Sequence, residues 1–145
     1  MPSILTIAML FLVGCSDEVK FEKQSLDEPQ TRSQLQKMGI GVPDNYSLVS
    51  MIEMPPPGSG SASYKGLFTS PLPISPVEVD GLRLKMRPTT CQGLQVSTLS
   101  DGMACATLSN LQIGGTQLAA IDNLTVISGQ SQPGEARVYL TVTGH

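Results

Sequence analysis

From Tyr64 onward, apolar and polar positions alternate with a period of two, and turn residues break the alternation at short intervals. Val77-Glu78-Val79 and Leu82-Arg83-Leu84 flank Asp80-Gly81, a pair that favours a two-residue hairpin because both turn positions need a left-handed backbone. The register follows: Val79 opposite Leu82, Val77 opposite Leu84, Glu78 opposite Arg83. Apolar pairs share one face and the opposite charges share the other. Further turns are predicted at Asp101-Gly102, between strands 94–99 and 103–108, and at Gly114-Gly115, with Ile113 opposite Thr116 and Leu111 opposite Leu118. Another is predicted at Asp122-Asn123, ahead of a strand over 124–128. Ala136, Val138, Leu140 and Val142 alternate with Arg137, Tyr139, Thr141 and Thr143, the clearest half-buried strand in the chain. Residues 64–145 therefore read as a mostly β domain of seven or eight short strands, a small antiparallel β-sandwich or a curled meander of hairpins.

The N-terminal part has a different pattern. Residues 3–14 are apolar except for Ser3 and Thr6. As a helix they would reach about 18 Å, short of the roughly 30 Å of a hydrocarbon core, so they read as the apolar region of a signal peptide. Leu12-Val13-Gly14-Cys15 resembles the lipobox of bacterial lipoproteins, although no Lys or Arg precedes the apolar run as is usual in that family. The resemblance implies diacylation of the Cys15 sulfur, cleavage before Cys15 and acylation of the new terminus. Two or more acyl chains anchor a protein stably to a membrane. In the sorting logic of these lipoproteins an Asp after the Cys favours the inner membrane; Ser16 stands there and points to the outer membrane, facing the periplasm.

Residues 15–54 read as lipid anchor and tether, preceded by a signal peptide over 1–14. Asp27-Glu28-Pro29 is a helix start, and Lys37 before Gly39 is a stop, which predicts a short helix over 29–38. Its apolar content is Leu35 and Met38, so it is expected to be loose or partner-dependent. Residues 46–53 suit a short edge strand. Residues 55–63, three prolines followed by Gly and Ser, read as a linker to the β domain at 64–145.

Composition narrows the function. Nine Lys+Arg against twelve Asp+Glu leave a net charge of −3, the wrong sign for a general nucleic-acid binder. His145 is the only histidine, which removes multi-His metal sites and a His general base. No phosphate loop and no Gly-x-Ser-x-Gly elbow is present. The chain is therefore expected not to be an enzyme, and to carry no metal or cofactor besides the covalent lipid on Cys15. Lipidation leaves Cys91 and Cys105, an even pair that reads as a disulfide in an oxidising compartment; two buried free thiols are the alternative.

Three features invite a binding role. Arg83, Lys85 and Arg87 alternate with apolar residues and on one strand would form a row about 13 Å long, suited to an anion or an acidic partner, or simply to solvent. Residues 104–108 and 118–121 set small side chains beside large ones, as in the lining of a groove or in a dry core. Asp80-Gly81, Asp101-Gly102 and Asp122-Asn123 recur at 21-residue intervals, which fits similar hairpin lengths better than a repeated unit. The expected function is a membrane-anchored envelope lipoprotein, a structural or binding component of a larger assembly of the secretion, pilus, conjugation or transport type, with protein partners. The alternative is a carrier of lipid or another hydrophobic ligand.

Overall fold

The structure, a computed structural model, describes residues 22–56 and 58–145. The lipobox and the first part of the expected tether lie outside these residues. The elements in order are β1 (Gln24–Ser25), α1 (Glu28–Lys37), β2 (Ile40–Gly41), β3 (Ser47–Met54), β4 (Ser63–Pro71), β5 (Glu78–Val79), β6 (Leu82–Arg83) and β7 (Arg87–Pro88). They continue with α2 (Cys91–Leu94), a 3₁₀ turn over Cys105–Thr107, β8 (Ser109–Gln117), β9 (Asn123–Gln132) and β10 (Glu135–Thr143). The fold is mostly β and antiparallel, as the alternation implies. Seven strands form one sheet in the order β1-β3-β4-β10-β9-β8-β7, and β2-β5-β6 form a second.

The seven-stranded sheet is covered on both faces. One face carries Tyr64, Phe68, Leu124, Val126, Val138, Leu140 and Val142, packed against Leu35 of α1 and Ile40, Val77 and Leu84 from around the small sheet. The opposite face carries Leu67, Leu111 and Tyr139, covered by Leu99, Cys105 and Leu108 from the segment that links β7 to β8. The period of two in β10 thus serves two cores rather than one core and solvent: Tyr139, on the face expected to be wet, is buried.

The fold also begins earlier than the domain boundaries expected from sequence. Helix α1 has the expected start and stop. Asp27 and Gln30 form reciprocal caps, with backbone N–H groups donating to the opposite side chains at 2.9 and 3.0 Å, and Gly39 leaves the helix at φ 78°. But the helix is docked, not loose. Leu35 is 1% exposed, and Arg32 donates from Nη2 to the Tyr46 carbonyl at 2.7 Å while its Nε reaches Glu28 at 3.2 Å. Counting apolar residues misses this anchor, because a charge-bearing side chain supplies it. Nor do residues 55–62 separate two parts. Met54 pairs with Ser63, so they close the hairpin between β3 and β4, and Ser61 Oγ donates to Asp122 Oδ1 at 2.7 Å.

Turn chemistry is right where it is local. At Asp80-Gly81 both φ angles are positive, 51° and 79°, and Glu78 pairs with Arg83 and Val79 with Leu82 in the expected register. The Asp101-Gly102 turn is present, with Gly102 N–H donating to the Leu99 carbonyl at 2.9 Å, but the strands expected on either side are reduced to one bridge, Thr98 to Ala104. The chain bends over 118–122 before β9 begins at Asn123, where Leu118 N–H donates to the Asp122 carbonyl at 2.7 Å. Gly114-Gly115 is not a turn: β8 runs straight through it. A Cβ on Gly114 would lie 2.5 Å from Met86 Sδ and 2.6 Å from the Lys85 carbonyl oxygen, so this glycine permits a close backbone crossing instead. The three Asp at 21-residue spacing occupy a hairpin turn, a surface loop and a buried strand entrance, and mark no repeated unit.

Docking of α1 sets an expected outcome. Leu35→Ala should lower the unfolding free energy by about 2–5 kcal/mol, measured by urea denaturation, with one transition retained. A helix on a loose tether would leave the midpoint unchanged.

Candidate functional site

A cavity of about 720 Å³ opens at the end of the sheet where β8, β9 and β10 meet the 72–77 segment and the 84–86 segment. Strand pairing explains why space is left there. In the rows of paired residues, Phe68, Val138 and Ser128 lie side by side across β4, β10 and β9, and the next row is Ser70, Ala136 and Gln130. Side chains shrink or turn polar from one row to the next, while the cover does not come down to meet them. Leu72, Pro73, Ile74, Ser75 and Pro76 form one wall, and two prolines restrict its backbone. Tyr46 pins that wall by donating its hydroxyl to the Ser75 carbonyl at 2.5 Å. Burial pushes the Tyr46 phenol up to about 12, so it stays a neutral donor.

Val126 and Val138 form the floor of this cavity, with Val77, Leu84 and Met86 beside them; Asn110, Gln112, Ser128 and Gln130 form its polar end. Tyr46 is the sole titratable group among these lining residues. The arrangement offers apolar surface and uncharged hydrogen-bonding groups, which suits binding rather than proton transfer. Among the described residues no group of three His, Cys, Asp or Glu side chains is placed to hold a metal ion, and no helix is long and apolar enough to cross a membrane.

The residues expected to carry binding lie elsewhere. Arg83, Lys85 and Arg87 are all exposed but do not share a strand. Arg83 pairs with Glu78 in the small sheet, and Arg87 pairs with Ile113 in the large one. The chain passes from one sheet to the other between them. An extended connector has the same period as a strand, so Leu84 and Met86 still turn inward and the cations outward. Lys85 and Arg87 flank a smaller cavity of about 400 Å³ beside Gly114 and Gly115, and Arg83 is not part of it. In the 104–108 and 118–121 stretches the large side chains pack inward, Cys105 and Leu108 in one core and Leu118 in the other, while Ala119, Ala120 and Ile121 are exposed.

Cys91 and Cys105 are joined, with Cα atoms 5.9 Å apart. Closing a loop of this size removes chain entropy worth about 3 kcal/mol. The bond staples the segment that covers the second face of the sheet, and a polar cluster latches the same segment. Arg137 Nη2 donates to Asp101 Oδ2 at 2.6 Å, the Tyr139 hydroxyl donates to Asp101 Oδ1 at 3.1 Å, and Met103 N–H donates to Asp101 Oδ1 at 3.2 Å. Turn chemistry accounts for an Asp at position 101, but sequence reading missed its partners. Arg137 and Tyr139, two residues apart on the face of β10 taken as wet, were the available signal. Burial raises the Asp101 carboxyl, but the Met103 N–H, the Arg137 guanidinium and the Tyr139 hydroxyl outweigh it and hold it below the ordinary carboxylate range.

No protein family, curated protein or solved structure matches this chain.

The latch makes stability depend on pH. A carboxylate whose pKa is lower in the folded than in the unfolded state contributes stability that is present above the unfolded value of about 3.9 and lost as pH falls through the folded value. Asp101→Asn should therefore be less stable than the parent chain near neutral pH, and the gap should close on acidification below about pH 4. Urea denaturation across that range measures it. A gap that is constant with pH would contradict the assignment.

Proposed function

We propose that this chain is a lipid-anchored protein of the bacterial envelope that faces the periplasm, from the outer rather than the inner membrane. Its β head works by binding, as a component of a larger assembly of the secretion, pilus, conjugation or transport type. The observation that carries this reading is the disposition of three cysteines. Cys91 and Cys105 are paired across the loop they staple, as suits an oxidising compartment. The third, Cys15, closes a lipobox-like Leu-Val-Gly-Cys. A binding head is in keeping with the lining of the main cavity, which offers apolar contacts and uncharged hydrogen-bonding groups. Arg83, Lys85 and Arg87 are a solvent-facing cationic stretch that an anionic partner surface could meet, though the sheet crossing splits it.

A second reading, a carrier or binder of a hydrophobic ligand, is favoured by one observation: a cavity of about 720 Å³ with a floor of Val126 and Val138. That volume falls within the range of small-molecule sites.

The anchor is tested by growing cells with a clickable palmitate analogue and measuring intact mass. The parent chain should take up label and lose residues 1–14, and Cys15→Ala should lose the label entirely. Label that persists in Cys15→Ala, or a parent chain that takes up none, contradicts the lipid anchor.

A further inference from the structure

The main cavity has a polarity axis. Along β9 the residues that line it run Val126, Ser128, Gln130, spaced at about 6.6 Å per pair of residues. On the neighbouring strand Gln112 pairs with Ser128. Beyond Gln112 the register between β8 and β9 shifts, so that Ser109, not Asn110, is the next partner, opposite Gln130. Asn110 sits in this bulge at φ 51°, a left-handed conformation that Asn tolerates better than most residues. Bulges re-aim side chains and are over-represented beside functional sites, and here the bulge adds a carboxamide to the polar end of the cavity.

Those polar groups are not spent on the fold. The side-chain hydrogen bonds among the described residues include those that join α1 to the 42–46 turn, Tyr46 to Ser75, Ser61 and Ser63 to the end of the chain, and Asp101 to Arg137 and Tyr139; none found there involves the side chain of Asn110, Gln112, Ser128 or Gln130. Each carboxamide supplies two N–H donors and an oxygen with two acceptor lone pairs, and the hydroxyl one donor and two acceptor lone pairs. Ser128 is 4% exposed, and the cavity is the opening beside it. No lining residue carries a charge. The nearest cations along the chain, Lys85 and Arg87, flank Met86 but line the other cavity. A carboxylate or phosphate bound here would lose its hydration without gaining a counter-charge.

We propose that this cavity binds an uncharged amphiphile, with its apolar body over Val126 and Val138 and a hydroxyl- or amide-bearing head among Asn110, Gln112, Ser128 and Gln130. The inference rests on the ligand-binding reading above and is independent of the lipid anchor. Affinity and specificity come from different parts of the cavity. The floor accepts any apolar chain that fits, which gives affinity with little selectivity. The polar end selects, because it rewards donors and acceptors and penalises formal charge.

The test compares two probes with the same acyl chain, monolauroylglycerol and laurate, the first neutral and the second ionised at pH 8. Each is titrated below its micelle concentration into the full chain carrying Cys15→Ala, and the side-chain amide NMR signals of Asn110, Gln112 and Gln130 are followed. Monolauroylglycerol should shift these signals saturably, and laurate should bind at least tenfold more weakly. Asn110→Gly keeps a residue that tolerates the bulge conformation and removes the carboxamide; it should weaken monolauroylglycerol binding about tenfold, the worth of one hydrogen bond. Gln112→Ala, at an exposed position, provides a second variant with little risk to folding and should weaken it similarly. Laurate binding in the cavity as tightly as monolauroylglycerol, or variants that bind both probes like the parent, would overturn the neutral-head assignment while leaving ligand binding in place. If neither probe moves these signals, the ligand-binding reading falls with it.

Discussion

A strand buried on both faces sets the terms for the rest of this molecule. β10 lies between β4 and β9 near the middle of the seven-stranded sheet. Val138, Leu140 and Val142 point into one core and Tyr139 into the other, and Ala136 is buried on the strand as well. A sheet that is apolar on both sides is stable in water only with a cover on each. A chain of this length has little material for two, so each cover is assembled from short pieces held by a device other than size. On one face α1 and the small β2-β5-β6 sheet are fastened by the Arg32 hydrogen bond to the Tyr46 carbonyl and by Asp80 N–H donating to the Gly39 carbonyl at 2.8 Å. On the other face the segment between β7 and β8 holds only the short α2 and a 3₁₀ turn; a disulfide closes it on itself and the Asp101 cluster ties it to β10.

The cavity is a consequence of the same arrangement. A cover made of short pieces cannot follow the sheet to its end, and the row Ser70, Ala136, Gln130 lacks the bulk to fill the gap. Large apolar residues occupy the rows nearer the middle, so the floor is hydrophobic and the mouth is polar. The wall is held off by two prolines and by the Tyr46–Ser75 hydrogen bond. Cavity and structural economy thus arise together: the place where the two layers fail to meet is where apolar surface and unspent hydrogen-bonding groups lie side by side.

What could be read from the sequence was what is decided locally. Asp80-Gly81 dictates its hairpin through backbone conformation alone, and its register came out to the residue. The alternation in 136–142 marked a strand, and the even pair of cysteines marked the staple. Features decided by distant partners were not legible. The helix near the N-terminus looked too polar to dock because its anchor is an arginine bound to carbonyls ten or more residues away. Gly114-Gly115 has the composition of a turn, and only the crossing of the Lys85–Met86 backbone over it shows that absence of a side chain, not a change of direction, is what those positions provide. The bulge at Asn110 has no sequence signature, and with it the polar end of the cavity stayed hidden. Alternation also misled at Arg83, Lys85 and Arg87, because a connector between two sheets repeats as a strand does.

In the proposed function the labour is divided between an N-terminal segment that anchors and a doubly covered sheet that presents a cavity at one end. Covers and sheet form one cooperative body, with residues from 24 to 143 stabilising β10 together. Native-state amide hydrogen exchange of the full chain measures this directly. Amides in α1 and β3 should exchange in the same slow class as those of β4, β9 and β10, with a common dependence on denaturant. Exchange of α1 and β3 at the rate of an unstructured chain, while β10 stays protected, would contradict it.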